Sequence, residues 1–107
     1  MELEEYLDED GESPFGEWFT ALEANVAARI TVALERMAQG NLSSTKGVGA
    51  GVLEFRIDTG PGYRIYFGRD GQTLVILLAG GTKRRQQRDI EAAQTRWADF
   101  KKRKRGS

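Results

Sequence analysis

The chain contains no cysteine and no histidine. Without cysteine there is no disulfide framework and no thiolate nucleophile. Without histidine, the commonest metal ligand and the commonest acid–base side chain are both missing. Any proton-transfer role falls to tyrosine, lysine or a carboxylate. Tyrosine and lysine have free pKa values near about 10, so they need help from neighbours to act as bases at neutral pH. No apolar run approaches the roughly 20 residues of a membrane span. The acidic start Met1-Glu2-Leu3-Glu4-Glu5 lacks the apolar core of an export signal. A cytoplasmic address, no membrane role, no metal and no cofactor are expected.

What is present suits one globular domain over residues 1–107, with 39% hydrophobic residues and enough length for one core. The formal net charge is zero, but the average hides a division. Residues 1–50 carry three basic side chains (Arg29, Arg36, Lys46) and ten acidic ones, a net of −7. Residues 51–107 carry thirteen basic and six acidic ones, a net of +7. Such a division gives a basic end that attracts phosphates and an acidic end that repels them or meets a basic partner. Internal pairing between the halves is the plainer alternative.

Hydrophobic periodicity sets the expected elements. Residues 3–7 read as a short edge strand and residues 8–13 as an acidic loop. Ser13-Pro14 is helix-start chemistry, and Phe15, Trp18, Phe19 and Leu22 follow with helical period. A second helix is expected over residues 25–39, with Val26, Ile30, Ala33, Leu34 and Met37 on one face and Gly40 as its stop. Residues 41–51 read as a loop. A three-stranded meander follows, over residues 52–58, 63–68 and 73–79. Leu53, Phe55 and Ile57 alternate with Glu54, Arg56 and Asp58, the mark of a strand with one buried face. The third strand is apolar on both faces and is expected to end at Gly80-Gly81-Thr82. A last helix is expected from Lys83, with Ile90, Ala93, Trp97 and Phe100 inward, and a fraying basic tail from Lys101.

Two glycine-rich stretches and one acidic run can be set aside. Gly47 to Gly51 precedes a strand, so it fails the context of a dinucleotide loop, and Gly80-Gly81-Thr82-Lys83 lacks the spacing of an ATP-binding loop. Asp8-Glu9-Asp10 lacks the alternation of a calcium loop. The chemistry is expected on the charged face of the meander, where Glu54, Arg56, Arg64 and Tyr66 share a patch, because adjacent strands lie about 5 Å apart. Lys83 and Arg84 stand at the start of the last helix, a favourable place for a phosphate. Such a set of cations, a phenol and a carboxylate could cleave RNA without a metal, using the RNA's own 2′-hydroxyl as nucleophile. The alternative left open is that Arg64 and Arg56 pair with Glu54 and Asp58 across the strands.

Three segments carry a resemblance: Gly47 to Ile57, Gly60-Pro61-Gly62-Tyr63-Arg64-Ile65-Tyr66-Phe67, and Leu77 to Lys83, with Gln86 or Gln87 and Asp89-Ile90 after them. Gly40-Asn41 and Lys46 fit the same pattern. Over residues 14–100 the chain resembles the HigB-type branch of the RelE/ParE superfamily, the addiction-module killer proteins. The resemblance implies an α+β, RelE-like fold: two N-terminal helices packed on a small twisted antiparallel sheet, with a C-terminal helix. It implies the toxin of a type II toxin–antitoxin pair, an mRNA endoribonuclease that acts in the ribosomal A site and stops translation. Carried onto this sequence, it implies Arg64 on the scissile phosphate, with Lys83 and Arg56 as further cations. It also implies Tyr66 as an orienting or proton-transfer group, and Glu54 as a base or as the residue that orients Arg56. Tyr63 is read as core. Lys46, Arg84, Arg85 and Arg88 are expected to bind RNA, and the basic tail to touch ribosomal RNA.

The implied partner is an antitoxin, expected to be a small helix-turn-helix protein through which the complex reaches operator DNA. It is expected to cover the Arg56/Arg64/Lys83 patch or to block ribosome docking. The sequence departs from the family pattern in the very basic Lys83-Arg84-Arg85-Gln86 and in the acidity of residues 8–13. Two other functions share the fold: a ParE-like inhibitor of DNA gyrase acting by protein contact, and a binding module that has lost its activity.

Overall fold

The computed structural model describes residues 1–106. A strand leads the chain: β1, Glu2–Glu5. Two helices follow, α1 (Pro14–Thr20) and α2 (Ala24–Ala38). Four more strands come next: β2 (Thr45–Gly47), β3 (Leu53–Ile57), β4 (Tyr63–Asp70) and β5 (Leu74–Thr82). A 3-10 turn, Lys83–Arg85, runs into α3, Gln86–Gly106. Helix α1 starts where Ser13 caps it, its hydroxyl accepting the Gly16 N–H at 2.9 Å, with Pro14 supplying a preset φ.

The sheet is five-stranded and mixed, in the order β1-β5-β4-β3-β2. This corrects the expected antiparallel meander at both edges. Strand β1 pairs parallel with β5, Leu3 opposite Val75. At the other edge Thr45–Gly47, expected to be loop, pairs antiparallel with β3. Thr-Lys-Gly has no apolar alternation, so only the backbone hydrogen bonds to β3 make it a strand. Strand β5 does not end at its glycines but continues to Thr82. Its register with β4 slips at a bulge, Tyr66 facing Ala79 and Phe67 facing Leu77.

The sheet is buried on both faces. On one, Phe15, Ile30, Ala33 and Met37 of α1 and α2 pack against Phe55, Ile65, Phe67, Val75 and Leu77. On the other, Ala93 and Trp97 of α3 pack against Tyr6, Val52, Tyr66, Ile76 and Leu78. Each face receives one tryptophan over a glycine. A Cβ on Gly80 would lie 2.1 Å from the Trp18 ring, and one on Gly68 would lie 2.5 Å from that of Trp97. The expected solvent-facing side of β3 and β4 is therefore interior at Glu54, Arg64 and Tyr66, while Arg56 stays half exposed.

The basic end of α3, expected to fray, is helical in the structure. The helix continues to Gly106. Arg103 pairs with Asp99 and donates to the Tyr6 hydroxyl at 3.0 Å and the Leu7 carbonyl at 2.7 Å. Lys104 pairs with Asp70. Among the described residues no ion pair joins an acid of residues 1–50 to a cation of residues 51–106. The one pair that spans the halves, Lys46 with Glu54, runs the other way. No helix among the described residues is long and apolar enough to cross a membrane.

The Trp18–Gly80 contact makes a testable point. Gly80→Ala is expected to destabilise the fold by about 1–3 kcal/mol, because the ring has to move out of a packed layer. Urea denaturation followed by tryptophan fluorescence measures it, and an unchanged midpoint would rule out a tight contact.

Candidate functional site

Strand register gathers the expected residues. Lys46 on β2 faces Glu54 on β3, which faces Tyr66 on β4, and one step along Arg56 faces Arg64. Lys83 is brought in from outside the sheet. Its backbone N–H donates to the Gly62 carbonyl at 3.0 Å, which holds the start of the 3-10 turn against the β3–β4 turn.

The inner members form a desolvated polar cluster. Glu54 is fully buried and Arg64 is 5% exposed. The Glu54 Oε2 atom lies 3.6 Å from Arg64 Nε and accepts from Gln86 Nε2 at 2.9 Å. Its Oε1 is 3.8 Å from the exposed Lys46 ammonium. Arg64 Nη1 donates to the Gly62 carbonyl at 3.1 Å. Tyr66 is fully buried, and its hydroxyl makes no hydrogen bond within the chain. Burial above all, then the charge of Glu54, pushes the Tyr66 phenol well above the usual tyrosine range. Asp89 packs over Gly81, across from Arg64, with its Oδ2 buried and unpaired. Burial raises its pKa, against the opposing pull of Arg85, Arg96 and Arg88.

The outer members Arg56, Arg64 and Lys83 line an open groove of about 380 Å³ together with Asp58, Thr59 and Gly60-Pro61-Gly62. Arg56 is half exposed and lies 3.8 Å from Asp58, a pair in water that contributes little. Lys46 borders an adjoining hollow with Arg56 and Asp58. Of the cross-strand pairs of the plainer alternative, Glu54–Arg64 is present, while Arg56 and Asp58 meet at the end of one strand, and the two pairs differ in kind. Glu54–Arg64 is buried and Arg56–Asp58 is solvated. Glu54 orients Arg64, not Arg56 as expected from the strand motif.

Arg84, Arg85 and Arg88 are exposed around the start of α3 and do not line the groove. The basic end of α3 is farther off, since 21 helical residues span about 30 Å. Gln86 and Asp89 belong to this neighbourhood, but the sequence reading assigned them no role. Their spacing of three at a helix start, both polar on the side that turns to the sheet, was the available signal. The arrangement offers a cationic recess for a phosphate, braced from beneath by a buried carboxylate.

The segment that holds all of these residues also carries the likeness to other proteins. The family described as Phage derived protein Gp49-like (DUF891) matches residues 17–98. The chain belongs to the Gp49-like family. This family is associated with the toxins of toxin–antitoxin addiction modules. A Haemophilus influenzae protein, described as uncharacterized, is 40% identical over 81 residues, covering 75% of this chain and 82% of its own.

Two outcomes follow for this Gp49-like protein. Glu54→Gln leaves the Arg64 charge buried without its counterion and is expected to cost about 3 kcal/mol. The double change with Arg64→Met should recover most of that loss, and urea denaturation of the four-member cycle checks it. Tyr66 has a raised folded pKa, so its contribution is complete below the unfolded value of about 10 and is lost as pH rises from there toward the folded value. Wild type should therefore lose stability above about pH 10 more steeply than Tyr66→Phe. Parallel curves would remove Tyr66 as the cause.

Proposed function

We propose that this chain is the toxin of a type II toxin–antitoxin module, of the HigB-type, RelE-like kind, and that it cuts mRNA on the translating ribosome. The observation that carries the reading is the cationic groove of Arg56, Arg64 and Lys83 with its buried Glu54 support. A phosphate entering it meets three cations against one carboxylate, Asp58, and one of the cations is held by a desolvated ion pair and a backbone carbonyl. Fixed donors of this kind favour the extra negative charge that builds on phosphorus in the transition state.

In this reading the RNA 2′-hydroxyl attacks the adjacent phosphorus. The bond to the 5′-oxygen breaks, leaving a 2′,3′-cyclic phosphate and a 5′-hydroxyl. Lys83, exposed at the groove wall, supplies the proton to the departing oxygen, and the 2′-hydroxyl proton leaves to solvent. Glu54 and Tyr66, sealed beneath α3, act on the reaction through Arg64 and do not exchange protons with RNA. Lys46, Arg84, Arg85 and Arg88 add phosphate contacts along the RNA. The partner that restrains the toxin is its antitoxin, a small helix-turn-helix protein in this reading. It carries the pair to operator DNA and shields the groove or prevents ribosome docking.

Induced expression in bacteria with mapping of mRNA 5′ ends tests this. Lys83→Ala is the better probe than Arg64→Ala, because removing an exposed lysine leaves the buried pair intact. New ends within codons are expected for wild type and at least about tenfold fewer for Lys83→Ala, the loss of a single charge-stabilising contact. Growth arrest with DNA damage and intact mRNA would replace this reading with gyrase inhibition. No growth effect would indicate a binding module without activity.

A further inference from the structure

A second groove, of about 670 Å³, lies on the α1/α2 side of the sheet, between β1 and α1. Its floor is apolar: Leu3, Phe19 and Leu34 are only partly covered there. Its rim is acidic: Glu5, Glu12 and Glu17. No ion pair among the described residues reaches any of the three. The first 28 residues hold nine acidic side chains and no lysine or arginine. The carboxyls of Glu12 and Glu17 meet locally: a side-chain hydrogen bond with Glu17 first, then the charges of Glu17 and Asp8, raise the pKa of the Glu12 carboxyl.

We propose that this groove docks a cationic amphipathic helix presented by a protein partner. An apolar floor flanked by unpaired carboxylates fits a helix that places aliphatic side chains inward, at helical spacing, with lysine or arginine along both flanks. The cations relieve the repulsion between Glu12 and Glu17, which a neutral helix would leave in place and nucleic acid would worsen. The surface is continuous with the helical layer formed by α1 and α2, so a docked helix extends that layer over β1. The site goes beyond RNA cleavage and does not depend on it.

The test uses the full chain, isotope-labelled, titrated with a synthetic helical peptide of about 15 residues, leucine on one face and lysine on the other. Saturable amide shifts centred on Leu3, Gly16, Phe19 and Leu34 are expected. Affinity should fall at least about tenfold in Glu12→Lys/Glu17→Lys, and also fall as salt is raised. Both substituted side chains are exposed, so the fold is retained. A peptide with glutamate in place of lysine should not bind. Equal affinity for the reversed variant, shifts centred elsewhere, or no binding overturns the proposal. So does self-association that the reversal abolishes, which would assign the groove to the basic end of α3 from a second copy.

Discussion

Trp97 lying on Gly68 is the contact on which the rest of this molecule depends. It seats α3 on the second face of the sheet and turns a strand surface rich in charge into an interior one. Glu54, Arg64 and Tyr66 would otherwise be ordinary groups on a wet sheet face, where an ion pair contributes little. Beneath α3 they lose water and must answer one another. The same helix delivers Gln86 to the Glu54 carboxylate and Asp89 to the backbone beside Arg64. Residues 32 positions apart in sequence, Glu54 and Gln86, join a single polar cluster because one large ring fits where β4 has no side chain.

Charge is organised on the same plan. The acidic first half is not neutralised by the basic second half. Its carboxylates stay on the β1 and α1 side, while the cations gather at the β3–β4 turn and along α3. A molecule built this way presents phosphate-attracting and phosphate-repelling surfaces at once. Under the proposed function, that separation would let RNA and a protein partner be addressed by different faces of a chain of 107 residues. Membership of the Gp49-like family, with its association with toxin–antitoxin modules, implies an antitoxin as one partner.

The buried Glu54–Arg64 pair also explains why Arg64 can be both nearly inaccessible and still part of a groove wall. Its guanidinium is tied at Nη1 to the Gly62 carbonyl and lies beside Glu54 through Nε, so only a small edge meets the recess. Exposed cations such as Arg56 and Lys83 keep more freedom and lose more entropy on meeting a ligand. Rigidity is thus supplied from below and reach from the rim.

Much of this was legible in the residues themselves. Period-two alternation located β3 and β4, Ser13-Pro14 located the start of α1, and the spacing of Ile90, Ala93, Trp97 and Phe100 located the inner side of α3. The residue types that gather at and beneath the groove could be named in advance, because register and strand spacing bring Glu54, Arg56, Arg64 and Tyr66 together whatever covers them. Alternation says that two faces differ; it does not say that the charged one is open. That was decided by α3, whose contact with the sheet joins residues far apart in sequence. The same holds for β2, which exists only through its pairing with β3, and for the basic end of α3, ordered by Tyr6, Leu7 and Asp70. Local pattern determined which residues could form each element. Long-range burial alone decided which of their charges would be dry, and so which would brace the groove and which would line it.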